Sequence, residues 1–321
     1  MQFIFEKLLT DEQRSKTLCI DGAFKAKLQL SHWPGNVSPK ELKADTSTEM
    51  AFNLIESEKR DHYLDGIEFI SNNHFDSDGI LACYVLLHPE YAKHHRKLFI
   101  DIATTSDFSE FTNEEALKID RVISDIDDPE KSIFKDEFNN NNITEVMHSL
   151  SLKTFEKLPD IINNIENYEE HWKDDLIWYE QSQNSFVNQV SVFSNYGDCY
   201  LSIIESSFKL HPIAKFSNSK FDNVLSVIKQ DDEHLYELEY KHHTWHDTNR
   251  PAVISRKSFE PLAEKLNLIE MENNGSWKVL GINPVVEWDY RMQFSDESFN
   301  LVPSKIKIYE MEEILFDFLF E

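Results

Sequence analysis

Apolar positions along the chain fall into short clusters separated by polar turns, and their spacing changes character near residue 190. In the first part, Thr17-Leu18-Cys19-Ile20 and Lys27-Leu28-Gln29-Leu30 read as short strands on either side of Asp21-Gly22. Gly66-Ile67-Glu68-Phe69-Ile70-Ser71 reads as another. Helical spacing lies between and after these runs. Thr46-Ser47-Thr48-Glu49 has the form of a capping box and opens a helix carrying Met50, Phe52, Leu54 and Ile55. Ile80, Leu81, Tyr84, Val85 and Leu87 mark a helix over 79–88, and a second is expected over about 90–99. Such alternation predicts a parallel sheet with helices on its faces. Further helices are expected over 114–126, 143–165 and 169–183. From Val190 the pattern changes: residues 200–204, 223–228 and 234–240 alternate apolar and polar side chains, the period of a half-buried antiparallel sheet. The expected fold class is α/β. Residues 1–189 would form a parallel sheet flanked by helices, and residues 190–321 a smaller α+β domain.

Composition narrows the function. The chain has 58 acidic against 32 basic residues, a net charge of −26. That surface opposes the counterion release on which nucleic-acid affinity rests, so no binding to duplex nucleic acid is expected. Cys19, Cys83 and Cys199 have no paired spacing and read as reduced, buried thiols of a cytoplasmic protein. Neither a signal peptide nor a membrane-spanning run is expected. The 7 glycines are too scattered for the phosphate loops of Walker or dinucleotide-binding proteins.

The chemistry concentrates in Asn72-Asn73-His74-Phe75-Asp76-Ser77-Asp78-Gly79-Ile80. His74, Asp76 and Asp78 occupy alternate positions, so in an extended loop they point the same way. One imidazole and two carboxylates at a point suit Mn²⁺, Mg²⁺ or Zn²⁺. Asp-Ser-Asp-Gly is also an ordinary turn and helix cap. The metal reading is favoured by the alternate histidine, by the strand–loop–helix setting and by the lack of a nearby Lys or Arg. An EF-hand loop is excluded, because Val85 stands where its final Glu belongs. A haloacid-dehalogenase-type site needs a later Gly-Asp-x-x-x-Asp, and Gly197-Asp198 is followed by Ser202 instead.

His74-x-Asp76-x-Asp78-Gly79 resembles motif I of the DHH phosphoesterase superfamily, especially its archaeal RecJ-like branch. Together with the blocks around His32-Trp33-Pro34-Gly35-Asn36 and Asp45-Thr46-Ser47-Thr48, it looks like a bacterial DHH-like family of unknown function. The resemblance implies a manganese pair that hydrolyses phosphoester or phosphoanhydride bonds. It also implies a bridging aspartate, for which Asp107 is the candidate, expected at a strand end after Leu98–Ile102. Two family elements are missing, the Asp-His-His tripeptide and the C-terminal Gly-Gly-His. The reading that follows is a Mn²⁺- or Mg²⁺-dependent phosphoesterase acting on a small phosphorylated substrate. Its ligands would be His74, Asp76, Asp78 and Asp107, Asp78 would also serve catalysis, and His32 is the candidate general acid or substrate-orienting group. The alternative is a non-catalytic DHH-like module that binds a nucleotide or a protein. Asp45 reads as a helix cap, with a metal-site role as the alternative. In His242-His243-Thr244-Trp245-His246-Asp247, the first two imidazoles would point to opposite faces of a strand. Arg250 and Arg256 are candidate phosphate clamps. Oligomeric state is not readable from the sequence.

Overall fold

The computed structural model describes residues 1–230, 233–250, 255–271, 274–285 and 287–320. The chain divides into two compact units. One comprises Met1–Ile177 together with His246–Pro251, the other Trp178–Trp245 and Ala252–Glu321.

The first unit is built on four short strands, β1 (Gln2–Phe3), β2 (Thr17–Ile20), β3 (Leu28–Leu30) and β4 (Phe69–Ser71), in the order β1-β4-β2-β3. All neighbouring pairs are parallel, with Cys19 opposite both Gln29 and Ser71. Its helices are α1 (Asp11–Arg14), α2 (Ser47–Glu56), α3 (Arg60–Leu64), α4 (Ser77–Leu87), α5 (Pro89–His94), α6 (Arg96–Phe108), α7 (Glu114–Asp125) and α8 (Ile143–Asn163). A further helix, α9 (Glu169–Val187), contains the division between the units. Helix α4 is the centre of the core: every residue from Ser77 to Leu86 is buried. A helix apolar all round can be stable only when covered on every side. Here Leu18, Ile20, Phe52, Phe99, Ile119 and Leu150 belong to the same apolar cluster as Ile80 and Leu81.

One expectation fails here. Residues 98–102 and Asp107 do not lie on a strand. They belong to α6, whose buried Phe99, Ile102 and Ala103 follow the i, i+3, i+4 spacing of a helix face. The short apolar run suggested a strand, but the packing period is that of a helix.

The second unit carries β5 (Val192–Tyr196), β6 (Leu201–Ser206), β7 (Asn223–Gln230), β8 (Glu233–Tyr240), β9 (Ser276–Leu280) and β10 (Arg291–Ser295), in the order β5-β6-β7-β8-β10-β9. This sheet is mixed rather than antiparallel throughout, because β6 and β7 run parallel. Parallel neighbours need a crossover, and α10 (Pro212–Asn218) lies in that connection. Apolar alternation reports which face is buried, not strand direction. One face packs Leu225, Leu238 and Met292 with α11 (Glu260–Ile269) and α12 (Ile308–Phe320), through Leu262, Leu266, Met311 and Leu315. Among the described residues no helix is long and apolar enough to cross a membrane.

Candidate functional site

Because β2, β3 and β4 are parallel neighbours, their C-terminal ends share one sheet edge, where open α/β sheets place ligands. Each strand runs directly into polar residues there: Asp21 after β2, Ser31-His32 after β3, and Asn72, Asn73, His74 and Asp76 after β4. The first turn of α4 adds Asp78, and the last turn of α6 adds Asp107.

These side chains form two groups that share Asp21. In one, His74 Nε2 lies 2.8 Å from Asp76 Oδ2 and 3.2 Å from Asp21 Oδ2. In the other, His32 Nε2 lies 3.1 Å from Asp107 Oδ2, 3.3 Å from Asp21 Oδ1 and 3.6 Å from Asp78 Oδ2. His246 joins His32 and Asp107 as a third potential ligand set. The second group is closed off, with His32 and Asp78 fully buried. The first opens outward: the side chains of His74 and Asp76 are 28% and 32% exposed.

Local backbone chemistry holds the arrangement. Asp76 caps its own helix, accepting from the Gly79 N–H at 2.8 Å. Asp78 caps a different one, since its two oxygens accept from the Ser47 and Thr48 N–H groups of α2, each at 2.7 Å. Ser47 Oγ donates to Asp21 Oδ1 at 2.8 Å. Asp21 has φ of 46°, a left-handed conformation that a short polar residue tolerates at modest cost and that recurs at functional sites. Gly79 is required by close approach. A Cβ there would sit 2.7 Å from Asn72 Nδ2 and 3.4 Å from Asp21 Oδ2. The His32 ring is oriented through Nδ1, which lies 2.6 Å from the Asp45 carbonyl. That carbonyl can only accept, so Nδ1 carries a proton, and Nε2 is the nitrogen left to face the carboxylates or a cation.

The electrostatics are unbalanced. Burial and then the charge of Asp21 push Asp78 up to about 6. Burial and then Asp78 hold Asp107 well above the carboxylate range. Burial also works to raise Asp21, but His32 and His74 outweigh it and leave that group below its ordinary value. Burial opposes charge on both imidazoles. Asp107 and Asp21 nevertheless hold His32 well above its usual value, and Asp76 and Asp21 do the same for His74. Left to itself, the cluster gathers protons to offset its carboxylates. Both polar atoms of the Asn72 side chain are buried without a hydrogen-bond partner, and Asp21 Oδ2 and His32 Nε2, though at ion-pair distance from His74 and Asp107, make no hydrogen bond of good geometry. Buried orphans of this kind are rare in folded proteins and mark a place for an ion or water.

The sequence-derived candidates distribute as follows. His74 and Asp76 meet at Asp21, while Asp78 joins His32 and Asp107 in the other group. The three alternate residues of the motif therefore do not converge on a single point, because Ser77 begins a helix and turns Asp78 away. Asp107 reaches the site from a helix end. Asp45 is not the cap of α2, since Thr46 fills that role, accepting from the Glu49 N–H at 3.1 Å. Arg250 pairs with Asp45 and Glu110 rather than standing ready for a phosphate. Arg256 donates to the Lys241, Glu287 and Trp288 carbonyls. His242 and His243 lie in a 3₁₀ turn, and His242 is buried with its pKa driven well below the ordinary value, by desolvation first. Two residues escaped the sequence reading: Asp21, which stood out only as the Asp of an Asp-Gly between strands, and His246.

The chain belongs to a family of unknown function, DUF6687, whose family model matches residues 2–319. No curated protein matches it. A solved structure to which it is similar is the pGpG-specific phosphodiesterase PggH from Vibrio cholerae. The identity is 10% and the TM-score 0.33, over 95% of this chain and 98% of that one.

Proposed function

We propose that this protein is a divalent-metal-dependent phosphoesterase of the DHH type acting on a small phosphorylated substrate. The observation that carries the reading is the crowding of Asp21, His32, Asp76, Asp78 and Asp107 in two groups within a cation's reach, with Asp21 Oδ2 and His32 Nε2 buried and held only by ion-pair contacts to their neighbours, without a well-formed hydrogen bond. Oxygen-rich sets with one or two imidazoles fit Mn²⁺ or Mg²⁺. Asp21, His74 and Asp76 would hold one ion, and Asp21, His32, Asp78 and Asp107 a second. Bound there, the ions would supply charge neutralisation and Lewis acidity toward a phosphoryl oxygen. The motif resemblance turns a cation site into a phosphoesterase reading.

The chain's own residues divide the work by burial. His32, fully buried with Nδ1–H tied to Asp45, serves as a ligand in this reading and not as a general acid. His74, at the open side, would hold the other ion through Nε2, its ring oriented by Nδ1, which lies 3.1 Å from Asn73 Oδ1. The Trp33 ring stands 5.1 Å from the His74 ring, an apolar wall at the same side. With a net charge of −26, the surface disfavours long polyanions and leaves small phosphoesters as the substrate class.

The test is to strip the protein with chelator, add back Mn²⁺ or Mg²⁺, count bound ions by mass spectrometry, and follow p-nitrophenyl phosphate and bis-p-nitrophenyl phosphate hydrolysis. Two ions per chain and hydrolysis abolished by Asp21→Asn are expected. Ion binding without hydrolysis of either ester would move the assignment to a non-catalytic binding module, and no ion binding at all would remove the metal reading.

A further inference from the structure

Residues 246–250 are flanked in sequence by the second unit yet group with the first. Their anchoring is dense for so short a segment. The Asp247 N–H donates to the His32 carbonyl at 2.6 Å. The Asp247 carboxylate accepts from Asn36 Nδ2 at 2.8 Å and pairs with Lys43. The Asn249 N–H donates to Asp45 Oδ1 at 2.8 Å. Arg250 Nε donates to Asp45 Oδ2 at 2.9 Å, and its Nη1 reaches both Glu110 oxygens at 2.9 and 2.7 Å. The guanidinium also lies over the Phe108 ring, 4.7 Å from its centroid.

This anchoring delivers one chemically useful side chain. The His246 ring centroid stands 4.2 Å from that of His32, and its edge meets Phe108 at 5.2 Å between centroids. A ring nitrogen of His246 lies within 4.8 Å of ligand atoms of both His32 and Asp107. The same segment also fixes His32 indirectly. Arg250 and Asn249 grip the Asp45 carboxylate, while the Asp45 carbonyl takes the His32 Nδ1–H.

We infer that His246 is a further metal ligand, serving the group built on His32 and Asp107, and that residues 247–250 are the latch that positions it. The inference rests on the metal reading above and assigns a third imidazole to that site. Arg250 is a positioning residue: through Asp45 it sets the ring orientation and tautomer of His32. Losing an outer partner of a metal-ligating histidine typically weakens binding about 10–100-fold, and losing a ligand weakens it by at least as much.

The experiment is titration of the chelator-stripped full chain with Co²⁺, read by calorimetry and by the visible spectrum of the bound ion. The wild type is expected to bind two ions. His246→Gln should weaken one of them by at least about 100-fold and leave the other unchanged. His246→Asp, which keeps a donor, should restore much of that loss. Arg250→Ala should weaken the same ion about 10-fold, and Asp76→Asn should weaken the other ion. The inference is overturned if wild type binds two ions and His246→Gln alters neither. It is equally overturned if His246→Gln weakens both alike while lowering the melting temperature of the metal-free protein, which is the signature of a packing role. A wild type that binds no ion defeats the metal reading itself, and this assignment with it.

Discussion

Each unit buries a cluster of charged side chains, and the two clusters differ in where their neutralising charge comes from. In the second unit Lys215, Glu237 and Glu239 are all buried on one sheet face. Lys215 pairs with Glu239 and lies 3.7 Å from Glu237. Arg291 stands 3.8 Å from Glu237 and 3.0 Å from Asp289. The orphaned atoms beside that cluster, Arg291 Nε and Ser226 Oγ, carry no negative charge. In the first unit, among the described residues, the basic side chains that pair with Asp21, Asp76, Asp78 and Asp107 are imidazoles, which are cationic only when protonated. One cluster brings its own cations in the chain and the other does not. The comparison separates an ion network neutralised within the chain from one that, in the proposed reading, a bound cation would neutralise. A carboxylate cluster is informative only after its cations have been counted.

The sharpest way to break the comparison is Lys215→Met. Removing one partner of a buried ion network leaves uncompensated charge, at a cost of about 3–5 kcal/mol. Urea unfolding followed by probes in the second unit should show that loss, and divalent metal should not repair it. Asp107→Asn is the counterpart. It removes a carboxylate from a set already in excess, so the metal-free variant should be as stable as wild type or more so. A destabilised Asp107→Asn protein in chelator would place both clusters in the same structural class.

The second test is pH. Burial and then the adjacent Glu237 hold Glu239 up near 7, against the pull of Lys215. Below about pH 4.5 both native and unfolded chains carry this proton, and the group adds no slope. Between there and about 7 the unfolded chain sheds the proton while the native protein keeps it. Stability therefore falls as pH rises through that window, by no more than about 1.4 kcal/mol per pH unit for a single proton. Glu237, held below its ordinary value with Lys215 the leading partner once burial is overcome, acts only at lower pH, where its contribution is lost as pH falls. The measurement is the difference between wild type and Glu239→Gln across pH 4.5–7. An equal slope in both proteins would mean that Glu239 is ionised throughout.

Metal is the third lever. Mn²⁺ at about 100 times its dissociation constant should stabilise the first unit by about 2.7 kcal/mol, reversibly with chelator. Lys215→Met should respond as wild type does, and Asp21→Asn should not respond. A metal response of the same size in Asp21→Asn would detach Asp21 from the site.

Much of this was legible in the sequence because it is local. The strands at Thr17–Ile20, Leu28–Leu30 and Phe69–Ser71 follow from apolar runs ended by polar residues, and the α4 start follows from Asp76 and Gly79. What was not legible is long-range or conformational. Asp21 looked like half of a turn; only the parallel register that sets β2 beside both β3 and β4 makes it the residue common to both ligand groups. The available signal was that it directly follows an apolar strand, as the motif on β4 does. His246 sits more than two hundred positions from His32, and the imidazoles beside it in sequence drew the argument toward strand geometry, whereas His242–Thr244 form a 3₁₀ turn. Asp107 is marked by its position after the motif, but the short apolar run before it reads equally as strand or helix.

The smallest expected effect falls on Asp78, and it tests whether a residue can belong to both classes at once. In sequence Asp78→Asn looks like a clean charge deletion that leaves folding alone. In the structure both carboxylate oxygens accept backbone N–H groups at the start of α2. An asparagine offers one acceptor oxygen and turns an NH₂ toward the other N–H, leaving a buried donor unmet. Losing half of such a cap costs about 1–2 kcal/mol. Asp78→Asn should therefore lower unfolding free energy by that amount in chelator, before any metal is added. Adding Mn²⁺ should then recover less than in wild type, because Asp78 Oδ2 also faces His32 at 3.6 Å. The protein concentration of folded variant, by circular dichroism, separates the two losses. A variant as stable as wild type in chelator would show that the α2 terminus is satisfied without Asp78, and would return the residue wholly to the metal site.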